Sequence, residues 1–274
     1  MNRDVSTIAA TSPPVGRAGR AAWVWQLDAV DEIVAFAAER GLDELFVHVP
    51  CRVDSHPDLV GYVRLANAAH ALGIRVTALG GDADWLDDPA AVVSSWLQPA
   101  LGTGLFDGIH LDIEPNVEAG TPSPVVGRFV ATVHAIAEST PPDHALEADV
   151  RFWYPRVPAG DVDLTSKLIA IVDAVTVLSY RTRTTGTDGS VALTRPTARI
   201  ATAANRRLRI GQETRPLGPD PDGRKQTFHG RPRSDLERAM DVLDGTFGWL
   251  DGYLGVAVHD WRGYAALADG RSSG

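Results

Sequence analysis

Short aliphatic runs return along the chain about every 30 residues, and most are followed by an alanine-rich stretch whose apolar positions recur at helical spacing. The runs cover 21–27, 44–50, 74–79, 108–114, 145–151, 174–180, 208–213 and 253–259. Helical patterns fall at 29–40, 59–72, 89–101, 124–139, 190–207 and 234–249. Strand and helix in strict alternation imply a parallel sheet, and eight strands in this length predict an α/β fold, a single (β/α)₈ TIM barrel. Gly41, Gly73 and Gly104 stand where a helix must turn into the next strand. No Gly-x-Gly-x-x-Gly follows the first strand, where Trp25-Gln-Leu-Asp28 stands instead, so an open dinucleotide-binding sheet is disfavoured. The barrel is expected over 21–268, with a flexible leader at 1–20 and a disordered tail at 269–274.

The fourth run, Asp107-Gly-Ile-His-Leu-Asp-Ile-Glu-Pro115, breaks the apolar habit of the others. Successive strand side chains face opposite ways, so Ile109, Leu111 and Ile113 share one face while His110, Asp112 and Glu114 share the other. Two carboxylates two positions apart are within reach of each other. Burial or mutual repulsion would then hold one of them protonated at neutral pH, which a general acid requires.

In a barrel the C-terminal ends of the strands meet at one mouth, where barrel enzymes keep their chemistry. Polar and aromatic residues crowd those ends. Glu114, Asp112 and Glu213 are the candidate catalytic groups, with Glu114 and Glu213 on nearly opposite strands. Trp25, His48, Asp82, Asp149, Arg151, Trp153, Tyr180, Arg181, His259 and Trp261 are the candidate substrate-binding groups. Two carboxyls about 5 to 5.5 Å apart suit a retaining glycosidase, and roughly 6.5 to 9.5 Å an inverting one.

Charge and composition narrow the partner. A net charge of −9 and a pI near 5.3 disfavour nucleic acid, while Arg52, Arg151, Arg181, Arg183 and Arg215 near the mouth suggest an anionic small molecule or carbohydrate. Cys51 is the only cysteine, which excludes an internal disulfide framework and a thiolate zinc site. No apolar run approaches a membrane span, and the N-terminal stretch lacks the apolar core of a signal peptide. A soluble cytoplasmic protein without cofactor is expected.

Two family resemblances attach to these residues. Glu114-Pro115 with Glu213 resembles the large clan of retaining (β/α)₈ glycoside hydrolases, which implies Glu114 as acid/base and Glu213 as nucleophile; Ile113 stands where that clan has asparagine. Asp107-Gly-Ile-His-Leu-Asp-Ile-Glu114 is similar to the Asp-Gly-x-Asp-x-Asp-x-Glu motif of chitinase-like family 18 glycosidases, with His110 in place of the middle aspartate. That resemblance implies Glu114 as general acid and Asp112 as the group orienting a substrate N-acetyl nucleophile, with Tyr180 and Trp261 at the positions of the family's tyrosine and floor tryptophan. More loosely, Ala78-Leu-Gly-Gly-Asp-Ala-Asp-Trp85, Gly211-Gln-Glu-Thr214 and Val258-His-Asp-Trp261 resemble bacterial barrel proteins that are glycosidase-like in layout. The expected function is therefore cleavage of a glycosidic or related acetal bond. Two alternatives stay open: a metal-dependent hydrolase or lyase using His48, Asp112, Glu114, Glu213 and His259, and a barrel that binds a sugar or metabolite without turnover.

Overall fold

The computed structural model describes residues 18–269. Eight parallel strands close a barrel in sequence order: β1 (Arg20–Val24), β2 (Glu44–His48), β3 (Arg75–Gly80), β4 (Gly108–Leu111), β5 (Ala145–Arg151), β6 (Ala174–Leu178), β7 (Arg207–Glu213) and β8 (Tyr253–His259). The barrel closes where β1 pairs with β8, Ala21 opposite Ala257. Around it run α1 (Val30–Arg40), α2 (Leu59–His70), α3 (Pro89–Val92), α4 (Gln98–Gly102), α5 (Pro124–Ser139), α6 (Leu164–Ile169), α7 (Ser190–Ala203), α8 (Pro221–Gln226), α9 (Arg233–Phe247) and α10 (Trp261–Ala265).

Period-two alternation sorts each strand into two cores. Outward residues such as Val24, Val47, Ile109, Val150, Val177 and Val258 join the helices in one apolar cluster. Inward residues Ala21, Trp23, Phe46, Leu79, Leu178 and Ala257 form a second, smaller cluster inside the barrel. α1 shows how the strands are spaced: Asp31 and Glu32 complement its positive N-terminal dipole, and Gly41 ends it at φ 59° with its N–H bonded to the last carbonyls. Leu42 is buried beyond that turn and leads the chain into β2.

The N-terminal half of the barrel interior is ionic. Arg209 donates to Glu44 at 2.6 Å and to Glu147 at 3.2 Å, while Thr77 bonds Glu44 and Thr176 bonds Glu147. A guanidinium between two buried carboxylates satisfies charges that would otherwise be costly in an apolar interior.

Several element boundaries differ from the sequence reading. β4 ends its ladder at Leu111, with only the Asp112 N–H reaching back to the Gly80 carbonyl at 3.0 Å, so Asp112-Ile-Glu114 lies past the sheet rather than within it. The alternation survives the end of the ladder: Ile113 is buried among the helices and Glu114 is exposed. β1 and β6 stop before Trp25 and Tyr180. Arg20, assigned to the leader, opens β1 and pairs with Asp244 at 2.5 Å. The rest of the expected leader, 1–17, and the last five residues of the expected tail, 270–274, lie outside the described residues.

The helix expected over 190–207 ends at Ala203, because the chain must turn through Ala204 to Arg206 before β7 starts. The 89–101 helix divides into α3 and α4 around a π-helical stretch, Val93–Leu97. The sequence reading missed α6, α8, α10 and a two-residue hairpin, Pro158–Ala159 with Val162–Asp163. Each is shorter than the two turns over which an amphipathic pattern repeats.

Candidate active site

The site is built around Asp112, which the chain delivers through a very close crossing of β3 and β4. A Cβ on Gly81 would lie 2.3 Å from the Asp112 carbonyl carbon and oxygen, so only glycine lets the two backbones meet there. Below Asp112, the fully buried His110 ring stacks on Phe46 at 3.9 Å between centroids and meets Trp23 edge-on at 5.8 Å. Its Nε2 lies 3.1 Å from Asp149 Oδ1 on β5, and its Nδ1 lies 4.0 Å from Glu147. Burial lowers the His110 pKa against the pull of the nearby acids, so the ring is neutral at physiological pH.

Asp112 and Asp149 behave in the opposite sense. Burial, followed by the charges of Asp149 and Glu114, pushes the Asp112 carboxyl well above the usual carboxylate range. Burial, followed by the charge of Glu147, does the same to Asp149. Two neighbouring carboxyls that both resist ionisation can hold a shared proton at neutral pH, as carboxylate dyads do. Arg209, Glu147, His110, Asp149 and Asp112 therefore form a polar column running from the barrel interior to its mouth.

Glu114 stands above this column and is exposed. Arg151 holds it through two bonds, Nε to Oε1 at 3.1 Å and the terminal nitrogen to Oε2 at 2.9 Å. The Arg151 guanidinium also lies 5.0 Å from the Trp153 ring, and the Trp153 indole N–H is anchored to the Val117 carbonyl at 3.3 Å. One stacked cation thus orients the most accessible acid of the site.

Across the mouth, Glu213 is closed in. It is 2% exposed and accepts three hydrogen bonds: from the Thr214 and Arg215 backbone N–H groups at 2.8 and 2.6 Å, and from His259 at 2.8 Å. The Trp25 indole donates to the other His259 nitrogen at 2.8 Å. An indole only donates, so His259 accepts at Nε2 and donates from Nδ1 to Glu213. Burial disfavours the imidazolium, but the Glu213 hydrogen bond and charge outweigh it and raise the His259 pKa above its ordinary value. Taking up that second proton would displace Trp25.

Tyr180 joins the two halves. Its ring lies parallel to His259 at 6.3 Å, and burial followed by the charges of Glu213, Asp149, Asp112 and Glu114 pushes its hydroxyl well above its usual range. The phenol therefore stays neutral in the field of these acids and can donate a hydrogen bond to a ligand. His48 packs beside Trp25 at 5.8 Å, with its pKa lowered by burial and pulled the other way by the exposed Asp82.

Two of the expected binding residues are engaged by the surrounding fold. Arg181 is tied to Asp188 at 2.8 Å and to the Tyr180 carbonyl, where it fixes the loop after β6. Trp261 is buried against Phe36 at 6.1 Å and lines the cavity beside Trp25. The interior tryptophan is Trp23, which the sequence reading overlooked together with Glu147. Both share strand parity with recognised residues, Trp23 with Trp25 and Glu147 with Asp149, and parity was the signal that could have found them.

No family model matches the chain, and no curated protein matches it in sequence. Its closed (β/α)₈ barrel is similar in fold to solved glycoside hydrolases. A chitinase from Bacteroides thetaiotaomicron superposes with a TM-score of 0.59 at 9% identity, over 90% of this chain and 90% of that one. The Bacillus cereus spore cortex-lytic enzyme SleL superposes with a TM-score of 0.57 at 11% identity, over 90% of this chain and 74% of that one. The GH18 chitinase ChiB of Flavobacterium johnsoniae reaches 0.54 at 13% identity, over 90% and 89% of the two chains. At such identities the likeness is one of fold. Among the described residues no group of three or more His, Cys, Asp or Glu side chains has the geometry to hold a metal ion, and no helix is long and apolar enough to cross a membrane.

Proposed function

We propose that the protein is a glycoside hydrolase in which Glu114 protonates the leaving sugar and a substrate acetamido group, oriented by Asp112, attacks the anomeric carbon. The observation that carries this reading is that a half-buried Asp112, beside the buried Asp149, stands two residues before an exposed Glu114, with both aspartates pushed to resist ionisation. In the resting protein Glu114 leans on Arg151; turning towards Asp112 would give it access to the proton the pair shares. The remaining Asp112 charge would then polarise the acetamido N–H and stabilise the developing cation. Tyr180 donates to the same group from the opposite side.

The direct carboxylate route through Glu213 has less support. A nucleophile needs a free oxygen aimed at the substrate, whereas both Glu213 oxygens already accept bonds and the residue is buried. In this reading Glu213 is a positioning residue that orients His259 and, through it, Trp25. The discriminating experiment compares aryl glycosides of N-acetylglucosamine oligomers with their N-deacetylated counterparts. Turnover should fall by about tenfold or more when the acetyl is absent; equal rates would exclude acetamido participation.

The acid pair also sets a pH dependence. A carboxyl whose pKa is raised by folding stabilises the fold below its unfolded pKa of about 4, and that contribution is lost as pH rises through the folded value. Asp149→Asn removes the liability, and its amide can donate to the neutral His110 ring. The variant should gain on the order of 1 kcal/mol over wild type at pH 8 and show little difference near pH 4. Urea unfolding at the two pH values checks this, and a gain that is no larger at pH 8 would refute a shared buried proton.

A further inference from the structure

Outside the acid cluster, the loops after β7 and β8 enclose two cavities that meet at Pro216 and His229. The inner one, about 250 Å³, is lined by Trp25, the same indole that bonds His259, together with Arg215 and Arg262. The outer one, about 450 Å³, is lined by Arg224, His229 and Arg231. Sharing those two residues, the cavities lie side by side as an arginine-lined channel beside Trp25.

Those cations are unusual in a chain of net charge −9. Among the described residues the guanidinium groups of Arg215, Arg224 and Arg231 form no ion pair, and the nearby acids have other partners. Asp220 accepts from the Gly223 N–H, although its charge also feels Arg224; Asp222 pairs with Lys225; Asp260 accepts from the Gly263 N–H; Asp28 takes Arg262. The wall is fixed to the end of β7. The Phe228 N–H bonds the Glu213 carbonyl at 2.8 Å, Thr227 Oγ1 donates to the Arg215 carbonyl at 2.6 Å, and the His229 N–H bonds Thr227 Oγ1 at 2.9 Å. Unpaired guanidinium forks on a braced wall suit oxyanion groups, carboxylate or phosphate, which they can hold bidentately.

We infer that this channel binds the part of the substrate beyond the cleaved bond, and that the substrate is a glycan carrying oxyanion substituents there. The sugar component of this inference rests on the glycosidase reading; the anion component rests on the channel alone. The test is calorimetric titration of the full chain carrying Glu114→Gln, which slows turnover, with hexasaccharides of equal length that are neutral, carboxylated or phosphorylated. Either anionic sugar should bind about tenfold tighter than the neutral one, and added salt should shrink the difference. Arg224→Ser with Arg231→Ser should abolish the preference, bringing the anionic sugars to the affinity of the neutral one. The two anionic arms decide which oxyanion the channel prefers. Equal affinity for neutral and anionic sugars, or a preference that survives the double substitution, would overturn the inference. A single-stranded oligonucleotide of matched charge that binds as tightly would overturn it as well, because the channel would then be a phosphate-backbone site. Binding is read separately from turnover, so loss of the anion preference and absence of hydrolysis by the wild-type chain remain separate results.

Discussion

Glu114→Gln should lower kcat by about 10² to 10⁴ while leaving KM nearly unchanged, because the substitution keeps the shape of the side chain and removes only its ability to carry and release a proton. Loss of the Arg151 ion pair does not confuse the result. Both partners are substantially exposed, with side chains 31% and 42% accessible, and exposed pairs contribute little to stability. Thermal unfolding of the variant should therefore match wild type. Leaving-group dependence adds a readout that a structural role would not move: a glycoside whose aglycone departs as a stable phenolate needs no acid, so the deficit should shrink on that substrate. A variant that turns over both substrates at wild-type rates would remove Glu114 from the chemistry.

Arg209→Met should destabilise the fold by about 3–5 kcal/mol, since it strands two carboxylates in the barrel interior. Glu44 and Glu147 are each 6% exposed, and Arg209 is the cation that bonds both. Burial alone would raise the Glu44 pKa, yet Arg209 and then Arg75 overcome that and hold it below its ordinary value. A depressed carboxyl stabilises the fold above its unfolded pKa of about 4 and loses that contribution as pH falls through the folded value. The variant's deficit should accordingly be largest at neutral pH and narrow in acid. Adding Glu44→Gln and Glu147→Gln should recover part of the loss, because the uncompensated charges are then gone. Denaturant titrations of the single and triple variants measure both effects; a single variant within about 1 kcal/mol of wild type would mean that the interior is wet enough to solvate its own acids.

These two outcomes probe opposite ends of one barrel, and the two ends were not equally legible. The eight strands could be read because each is a short aliphatic run followed by a helical one, and the closed sheet orders them as the chain does. Short elements escaped: α6, α8 and α10 have five or six residues each, less than two helical turns. The strand-four motif was equally visible, and the structure places its Asp112 and Glu114 at the mouth with Tyr180 and Asp149. What the motif could not disclose was that Asp149, from the neighbouring strand, brings a carboxyl beside Asp112 while His110 occupies the position of the missing aspartate, 3.1 Å from it. Trp261 and Arg181 illustrate the converse: residues just past strand ends were assigned to the mouth, but a turn of backbone packs one against Phe36 and ties the other to Asp188.

The sequence by itself determined the barrel, its strand order and the face on which each strand residue lies, because side-chain alternation and helical periodicity are local properties of the chain. Only the tertiary structure decided the state of each acid. Whether a carboxyl is pushed to resist ionisation like Asp112 and Asp149, held by a guanidinium like Glu114, or enclosed by amide and imidazole donors like Glu213 depends on burial and on partners from other strands. Those partners come together only when the sheet closes.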